Sequence, residues 1–214
     1  MTDFSKPQIS KDTILVFDKD GVIFHSEDFK FEYFFGLFQE FSNHQEQIKS
    51  YLVGSGGTPR KVRFQTICTD IIQMNDADEF VEKLMQKSFT EMDPKILNVD
   101  FVEGAREFIE GHRQNQKFVC SGSSQNEVNL HLKRHKLDNF FIELHGGVKK
   151  KSEVLISIKG RFGSDMVFFG DTMIDYNGSL EAQVPFVGLR TSKYHDPFSN
   201  LDIYKVYNFR DLGL

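Results

Sequence analysis

Along this chain, unbroken apolar runs and amphipathic stretches follow one another in two distinct regimes. The first run, Ile14-Leu15-Val16-Phe17, is apolar throughout, the pattern of a strand covered on both faces. It ends in Asp18-Lys19-Asp20-Gly21, which puts two acids and a flexible residue at the exit of a buried strand. From Glu27 to Phe41 the positions Phe31, Phe34, Phe35 and Phe38 recur at helical spacing and predict a helix. Residues 47–53 and 60–74 predict two more, separated by Gly54-Ser55-Gly56-Gly57-Thr58-Pro59, with Pro59 suited to a first helical turn. A fourth is predicted over 78–92, and no strand pattern interrupts the block.

From Val102 the regime changes to alternation. Helices are predicted over 105–114, 126–135, 151–159 and 176–182, and strands over 117–120, 141–144, 166–169 and 186–189. Strands so spaced, with helices between them, require parallel crossovers. The expected fold class is therefore α/β, a doubly wound parallel sheet with a small α-helical domain inserted after the first strand. The expected division is a core of residues 1–26 and 101–214 and a helical unit of residues 27–100.

A length of 214 residues accommodates one such core with one insertion. A net charge of −5, from 26 basic and 31 acidic residues, argues against a nucleic-acid partner, since sequence-independent binders carry a basic excess. The 23 phenylalanines, with no tryptophan, are read as core. No apolar run approaches a membrane span, and Met1 to Lys11 lacks the pattern of a secretory leader, so a cytoplasmic protein with no membrane partner is expected. Cys68 and Cys120 lie far apart in apolar contexts and are expected to be packed, reduced thiols.

Candidate chemistry gathers at the strand exits. Ser121-Gly122-Ser123-Ser124 follows a predicted strand and precedes a helix, so its hydroxyls and N–H groups suit a phosphate. Gly170-Asp171 follows another strand, with Asp175 four residues on. Lys149-Lys150-Lys151 opens a helix, where a cation opposes the helix dipole and is available for another purpose. Close carboxylates repel unless a cation or proton lies between them. Together these signals point to metal-assisted phosphoryl transfer. Arg60, opening a helix beside the Gly-Gly segment, is a candidate for binding an anion or polyol oxygens. His131 and His135 share one helix face, expected to be a surface face, and His25 falls at the start of the insertion.

The chain from Ile14 to Leu189 resembles the haloacid dehalogenase-like hydrolase superfamily, in particular phosphatases with a helical cap after the first motif, of the phosphoglycolate phosphatase and beta-phosphoglucomutase-like kind. The first motif is Asp18-Lys19-Asp20-Gly21-Val22, the second centres on Ser121, and the fourth is Gly170-Asp171-Thr172-Met173-Ile174-Asp175. Lys151-Ser152-Glu153-Val154-Leu155 looks like the third motif, with Lys149 and Lys150 as competitors for its lysine.

The resemblance implies a Rossmann-like core and a set of roles. Asp18 would be the nucleophile, forming an aspartyl-phosphate, and Asp20 the acid and base for leaving group and water. Ser121, Lys151 and the Gly122 loop would grip the phosphoryl group. Mg²⁺ would be held by Asp18, the backbone carbonyl of Asp20 and Asp171, with Asp175 in support. The implied partner is a small phosphorylated metabolite: a sugar, polyol or amino alcohol, of the kind used in surface-polysaccharide precursor pathways. Two other functions fit the same motifs, a sugar phosphomutase and a catalytically idle protein that binds a phosphorylated ligand.

Overall fold

The computed structural model describes residues 6–148 and 150–213. The run Ile14–Phe17 forms strand β1 at the centre of a six-stranded sheet in the order β3-β2-β1-β4-β5-β6, with all neighbours parallel. The partners are β2 (Lys117–Cys120), β3 (Glu143–His145), β4 (Met166–Gly170), β5 (Phe186–Leu189) and β6 (Lys205–Val206). This is the doubly wound α/β arrangement expected.

Strand pleating divides the core. Leu15 and Phe17 face one side with Val119, Val167 and Phe169, covered by Phe108 and Phe209, whereas Ile14 and Val16 face the other with Phe118 and Phe168, covered by Leu155 and Ile158. Phe17 stacks on Phe169 at 4.9 Å between ring centroids. Both faces are dry, which is why β1 needs no polar residue until it leaves the sheet at Asp18.

Between β1 and β2, the chain makes α1 (Ser26–Leu37), α2 (Gln45–Gly54), α3 (Arg60–Thr66), α4 (Ala77–Glu91) and α5 (Asp93–Ile96), followed by α6 (Ala105–Gly111). Helices α1 to α5 pack around their own apolar cluster, including Phe34, Phe38, Ile48, Phe64, Val81 and Ile96. The two connections run side by side: Phe24 bridges Phe101 antiparallel, and the amides of His25 and Val102 donate to the carbonyls of Asp100 and Ile23. The remaining helices are α7 (Gln125–Arg134), α8 (Lys151–Phe162) and α9 (Met173–Ala182).

The differences from the sequence pattern have local causes. The helix expected over 60–74 ends as α3 and passes into a π-type turn, Ile67–Ile71, before Gln73 turns left-handed at φ +59°. Strand β3 begins two residues later than expected, after Phe141, whose ring packs edge-on against Phe17. Helix α9 begins three residues early because Thr172 and Asp175 form a capping box. Strand β6 spans two residues, too short for a periodicity to register. Cys68 and Cys120 are buried and free, and burial pushes their thiols up to about 11 and about 12. Among the described residues no helix is long and apolar enough to cross a membrane.

Candidate active site

Strands β1, β2 and β4 deliver their polar exits to the same sheet edge, since Phe17 pairs with both Val119 and Phe169. Asp18, Asp171 and Asp175 converge there, each offering an oxygen within 4.8 Å of the others. Gly21, at φ +70°, makes this approach possible: a Cβ built on it would stand 1.9 Å from Asp171 Oδ2. Lys151 holds the cluster from beneath. Its Nζ lies 3.0 Å from Asp18 Oδ1 and 2.9 Å from Asp175 Oδ1, and donates to the Cys120 carbonyl at 2.5 Å. Lys150 pairs instead with Glu181 on the surface, and Lys149 lies outside the described residues.

The electrostatics follow from this crowding. Burial, together with the carboxylates of Asp175 and Asp20, pushes the Asp18 carboxyl up to about 7 against the pull of Lys151. Burial and its neighbours Asp175 and Asp18 raise Asp171 well above the ordinary carboxylate range. Asp171 Oδ1 is buried and accepts no hydrogen bond from any described residue. Asp175 is more fully committed: its Oδ2 accepts from the Thr172 amide at 3.1 Å and hydroxyl at 2.6 Å, while Oδ1 faces Lys151. Three crowded carboxylates with one lysine and an orphaned oxygen fit a hard divalent cation, with Asp18 and Asp171 as ligands and Asp175 in support.

The carboxylate of Asp20 turns to a second cluster. Its Oδ1 accepts from Lys19 Nζ at 2.8 Å and from the Ser26 hydroxyl, and its Oδ2 accepts from Lys30 Nζ and Ser123 Oγ, each at 2.6 Å. Glu127 Oε1 lies 2.8 Å from Lys19 and 3.2 Å from Lys30. Burial alone would raise both acids, but the two ammonium groups outweigh it. Asp20 is held well below the ordinary range and Glu127 at about 2. His131 closes the cluster 3.5 Å from Lys19, stacked on Phe24 and fully buried. The expectation of a surface histidine face is thus corrected at His131: helix α7 turns that face inward because Lys19 and Phe24 cover it. Burial, with Lys19 nearby, lowers its imidazole to about 3.

Both clusters open into one cavity of about 290 Å³ between the sheet edge and the helical unit. The core side presents Asp18, Asp20, Ser121, Gly122 and Ser123, and the helical side Lys30, Phe34, Arg60, Met85 and Phe89. Arg60 Nη2 pairs with Asp93 at 2.7 Å, whereas its Nη1 is buried with no described partner. The guanidinium lies 5.9 Å from the Phe34 ring centroid and 5.4 Å from that of Phe89. Gly122 stands directly beneath the Gly57 carbonyl.

Asp18, Asp20, Ser121, Gly122, Asp171 and Arg60 therefore line one cavity, with Asp175 and Lys151 immediately behind it. Lys19, Lys30, Glu127 and Ser123 were missed as a charged network. Lys19 and Lys30 do carry a trace in the sequence, since one lies between the first-motif acids and the other one helical turn beyond Ser26. Glu127 is distant in sequence and left no such trace.

The family model for haloacid dehalogenase-like hydrolases matches residues 15–189. No curated protein matches the chain. Among solved structures, the chain is similar to a haloacid dehalogenase-like hydrolase from Bacteroides fragilis, with 17% identity and a TM-score of 0.73 over 94% of this chain and 99% of that one. It is also similar to a protein described as a predicted phosphoglycolate phosphatase from Haemophilus somnus 129PT, with 16% identity and a TM-score of 0.72 over 96% and 98% of the two chains. A third is a hydrolase of this kind from Bacillus subtilis, bound to magnesium, with 14% identity and a TM-score of 0.63 over 95% and 97%. At these identities the likeness is one of fold.

Proposed function

The chain belongs to the haloacid dehalogenase-like hydrolase family, and we propose that it is a Mg²⁺-dependent phosphatase acting on a small phosphate monoester. The observation that carries this reading is the convergence of Asp18, Asp171 and Asp175 on Lys151 at the edge of a cavity. Carboxylates this close serve no purpose in packing. Two structural neighbours, one described as a predicted phosphoglycolate phosphatase and one as bound to magnesium, are in keeping with it.

In this reading Asp18 attacks phosphorus and forms an aspartyl-phosphate, and the resulting acyl-phosphate is then hydrolysed by water. Asp18, Asp171 and the Asp20 carbonyl hold Mg²⁺, which supplies charge neutralisation for a carboxylate approaching a phosphate dianion. Ser121, the Gly122 amide and Lys151 hold the phosphoryl oxygens, with Lys151 also keeping Asp18 oriented. Asp20, reached by Lys19, Ser26, Lys30 and Ser123, is the acid that gives a proton to the departing alcohol as the bond from phosphorus to its oxygen breaks, and the base that then takes one from the hydrolytic water. Residues 27–100 act as a lid on a core of residues 1–26 and 101–214, with the paired connections at Phe24 and Phe101 as its hinge.

The cavity of about 290 Å³ is of a size for a small sugar, polyol or amino alcohol. Arg60, with one buried guanidinium nitrogen unsatisfied, is the lid group placed to hold an oxygen-rich leaving group. The test is phosphate release from a panel of phosphorylated sugars, polyols and amino alcohols, with Mg²⁺ and with a chelator. Metal-dependent release favouring one small substrate is expected. Isomerisation of a hexose phosphate without release would contradict hydrolysis.

A further inference from the structure

The two sides of the cavity differ in charge. At the sheet edge Asp18 and Asp171 crowd together, whereas the helical side sets Phe34, Pro59, Met85 and Phe89 around Arg60. The charge of Arg60 is already matched: its Nη2 pairs with Asp93 at 2.7 Å, and Glu127 Oε2 stands 3.6 Å from the same nitrogen. Its Nη1 is buried with no acceptor among the described residues, and the Phe34 and Phe89 ring centroids lie 5.9 and 5.4 Å from the guanidinium.

The other charged groups lining the helical side are matched as well. Arg63 donates to Glu27 Oε1 at 3.2 Å and to the Thr58 carbonyl at 3.0 Å, and Lys61 pairs with Glu82. The three N–H donors of Lys30 have three acceptors, Asp20 Oδ2 at 2.6 Å, Ser123 Oγ at 2.8 Å and Glu127 Oε1 at 3.2 Å. Among the described residues this side therefore offers no unmatched cation to an anionic group and no unmatched carboxylate to an ammonium group. It offers one N–H donor of Arg60 in need of an oxygen, framed by apolar side chains. A charged group brought there loses its water without gaining a counter-ion, and beside a matched pair it meets a like charge as well as an opposite one.

We propose that Asp93 is a specificity-determining residue: by pairing with Arg60 it leaves this wall of the cavity without net charge. The site then selects phosphate monoesters whose leaving group is neutral and offers an oxygen to Arg60, a sugar or polyol. It rejects those whose leaving group carries a carboxylate, a second phosphate or an ammonium group. The inference rests on the phosphatase reading above and narrows it. Asp93 opens α5 behind Arg60 and is not among the residues lining the cavity, so it acts through the guanidinium and not on the phosphoryl group. Both members of the pair belong to the helical unit, whereas Glu127 reaches Arg60 from α7.

The test measures kcat/KM with Mg²⁺ on esters that differ only in one end group. The three-carbon set is glycerol 3-phosphate, 3-phosphoglycerate and 3-amino-1,2-propanediol 1-phosphate; the six-carbon set is glucitol 6-phosphate, 6-phosphogluconate and 1-amino-1-deoxyglucitol 6-phosphate. In the set the wild type cleaves faster, the neutral member should lead each charged member by roughly tenfold or more. Asp93→Asn leaves Arg60 with an unmatched charge and should raise the ratio of carboxylate to neutral substrate by roughly tenfold. Arg60→Gln leaves Asp93 without its cation and should raise the ratio of ammonium to neutral substrate instead. Each ratio is taken within one variant, so a general loss of activity cancels. A wild type that prefers a charged member, or an Asp93→Asn variant with unchanged ratios, overturns the inference and leaves the phosphatase reading intact. If Asp93→Asn does not fold, Arg60→Gln decides: a shift towards the ammonium substrate supports the role and none overturns it. A wild type that releases phosphate from other monoesters but from neither set also overturns it. A wild type inactive on every phosphate monoester contradicts the phosphatase reading itself.

Discussion

Gly122, just past β2, approaches Gly57, in the connection between α2 and α3, so closely that a Cβ on Gly122 would stand 2.6 Å from the Gly57 carbonyl oxygen. Since the obstacle is backbone, no rotamer relieves it. Gly122→Ala should hold the lid away from the sheet edge without disturbing the core. The expected outcome is a loss of at least tenfold in kcat/KM, with thermal unfolding nearly unchanged. Steady-state kinetics beside a melting curve check it.

Lys151 and Lys150 are adjacent in sequence but differ in surroundings. Lys151→Met leaves Asp18 and Asp175 buried against each other without their cation. It should cost about 3–5 kcal/mol of stability in the absence of metal and abolish turnover. Lys150→Ala removes only an exposed pair with Glu181 and should change stability by less than about 1 kcal/mol. Urea unfolding of both variants separates them.

Binding of Mg²⁺ at these crowded acids, as proposed above, would compete with protons. With Asp18 at about 7 in the metal-free protein, affinity should rise with pH up to that value, and binding should release a proton below it. The folded chain holds this proton more tightly than the unfolded chain. Metal-free stability from this group therefore falls as pH rises from the ordinary carboxylate range to about 7, and Mg²⁺ restores it. Calorimetric titrations from pH 6 to 8 measure the effect, and a pH-independent affinity would exclude it.

Acid should undo the second cluster. Glu127, at about 2 when folded, contributes stability that is complete above its ordinary value and is lost as pH falls towards 2. His131, at about 3 when folded, binds its proton first in the unfolded chain, so stability also falls as pH drops from about 6.5 to about 3. Glu127→Gln should cost roughly 3 kcal/mol at pH 7, with the difference from wild type shrinking in acid. Denaturant unfolding at several pH values tests this.

The alternation of strands and helices was legible because β1, β2, β4 and β5 are buried at every position and, Lys117 apart, read as apolar runs. Asp18, Ser121 and Asp171 were legible for a related reason, as the first polar residues after such runs. Lys30 and Glu127 were not, because both lie on helices with polar residues at many positions, and only the packing of the lid on α7 brings them together. His131 was misread because its helix carries Gln125, Asn126, Glu127, Asn129, Lys133 and Arg134 and reads as a polar surface helix, and nothing local announces that Phe24 and Lys19 will cover it. Pattern locates what one element buries; charge pairing between distant elements depends on tertiary contact.

The most direct test of the central claim is to look for phosphate on Asp18. Protein turning over a phosphate monoester with Mg²⁺ is quenched, treated with borohydride to reduce any acyl-phosphate, and examined by peptide mass spectrometry. The account predicts conversion of the Asp18 side chain to the corresponding alcohol, dependent on substrate and metal and absent from Asp18→Asn, which should also lose at least a thousandfold in phosphate release. An unmodified Asp18 in an active protein, or an Asp18→Asn variant that still releases phosphate at a comparable rate, would contradict it.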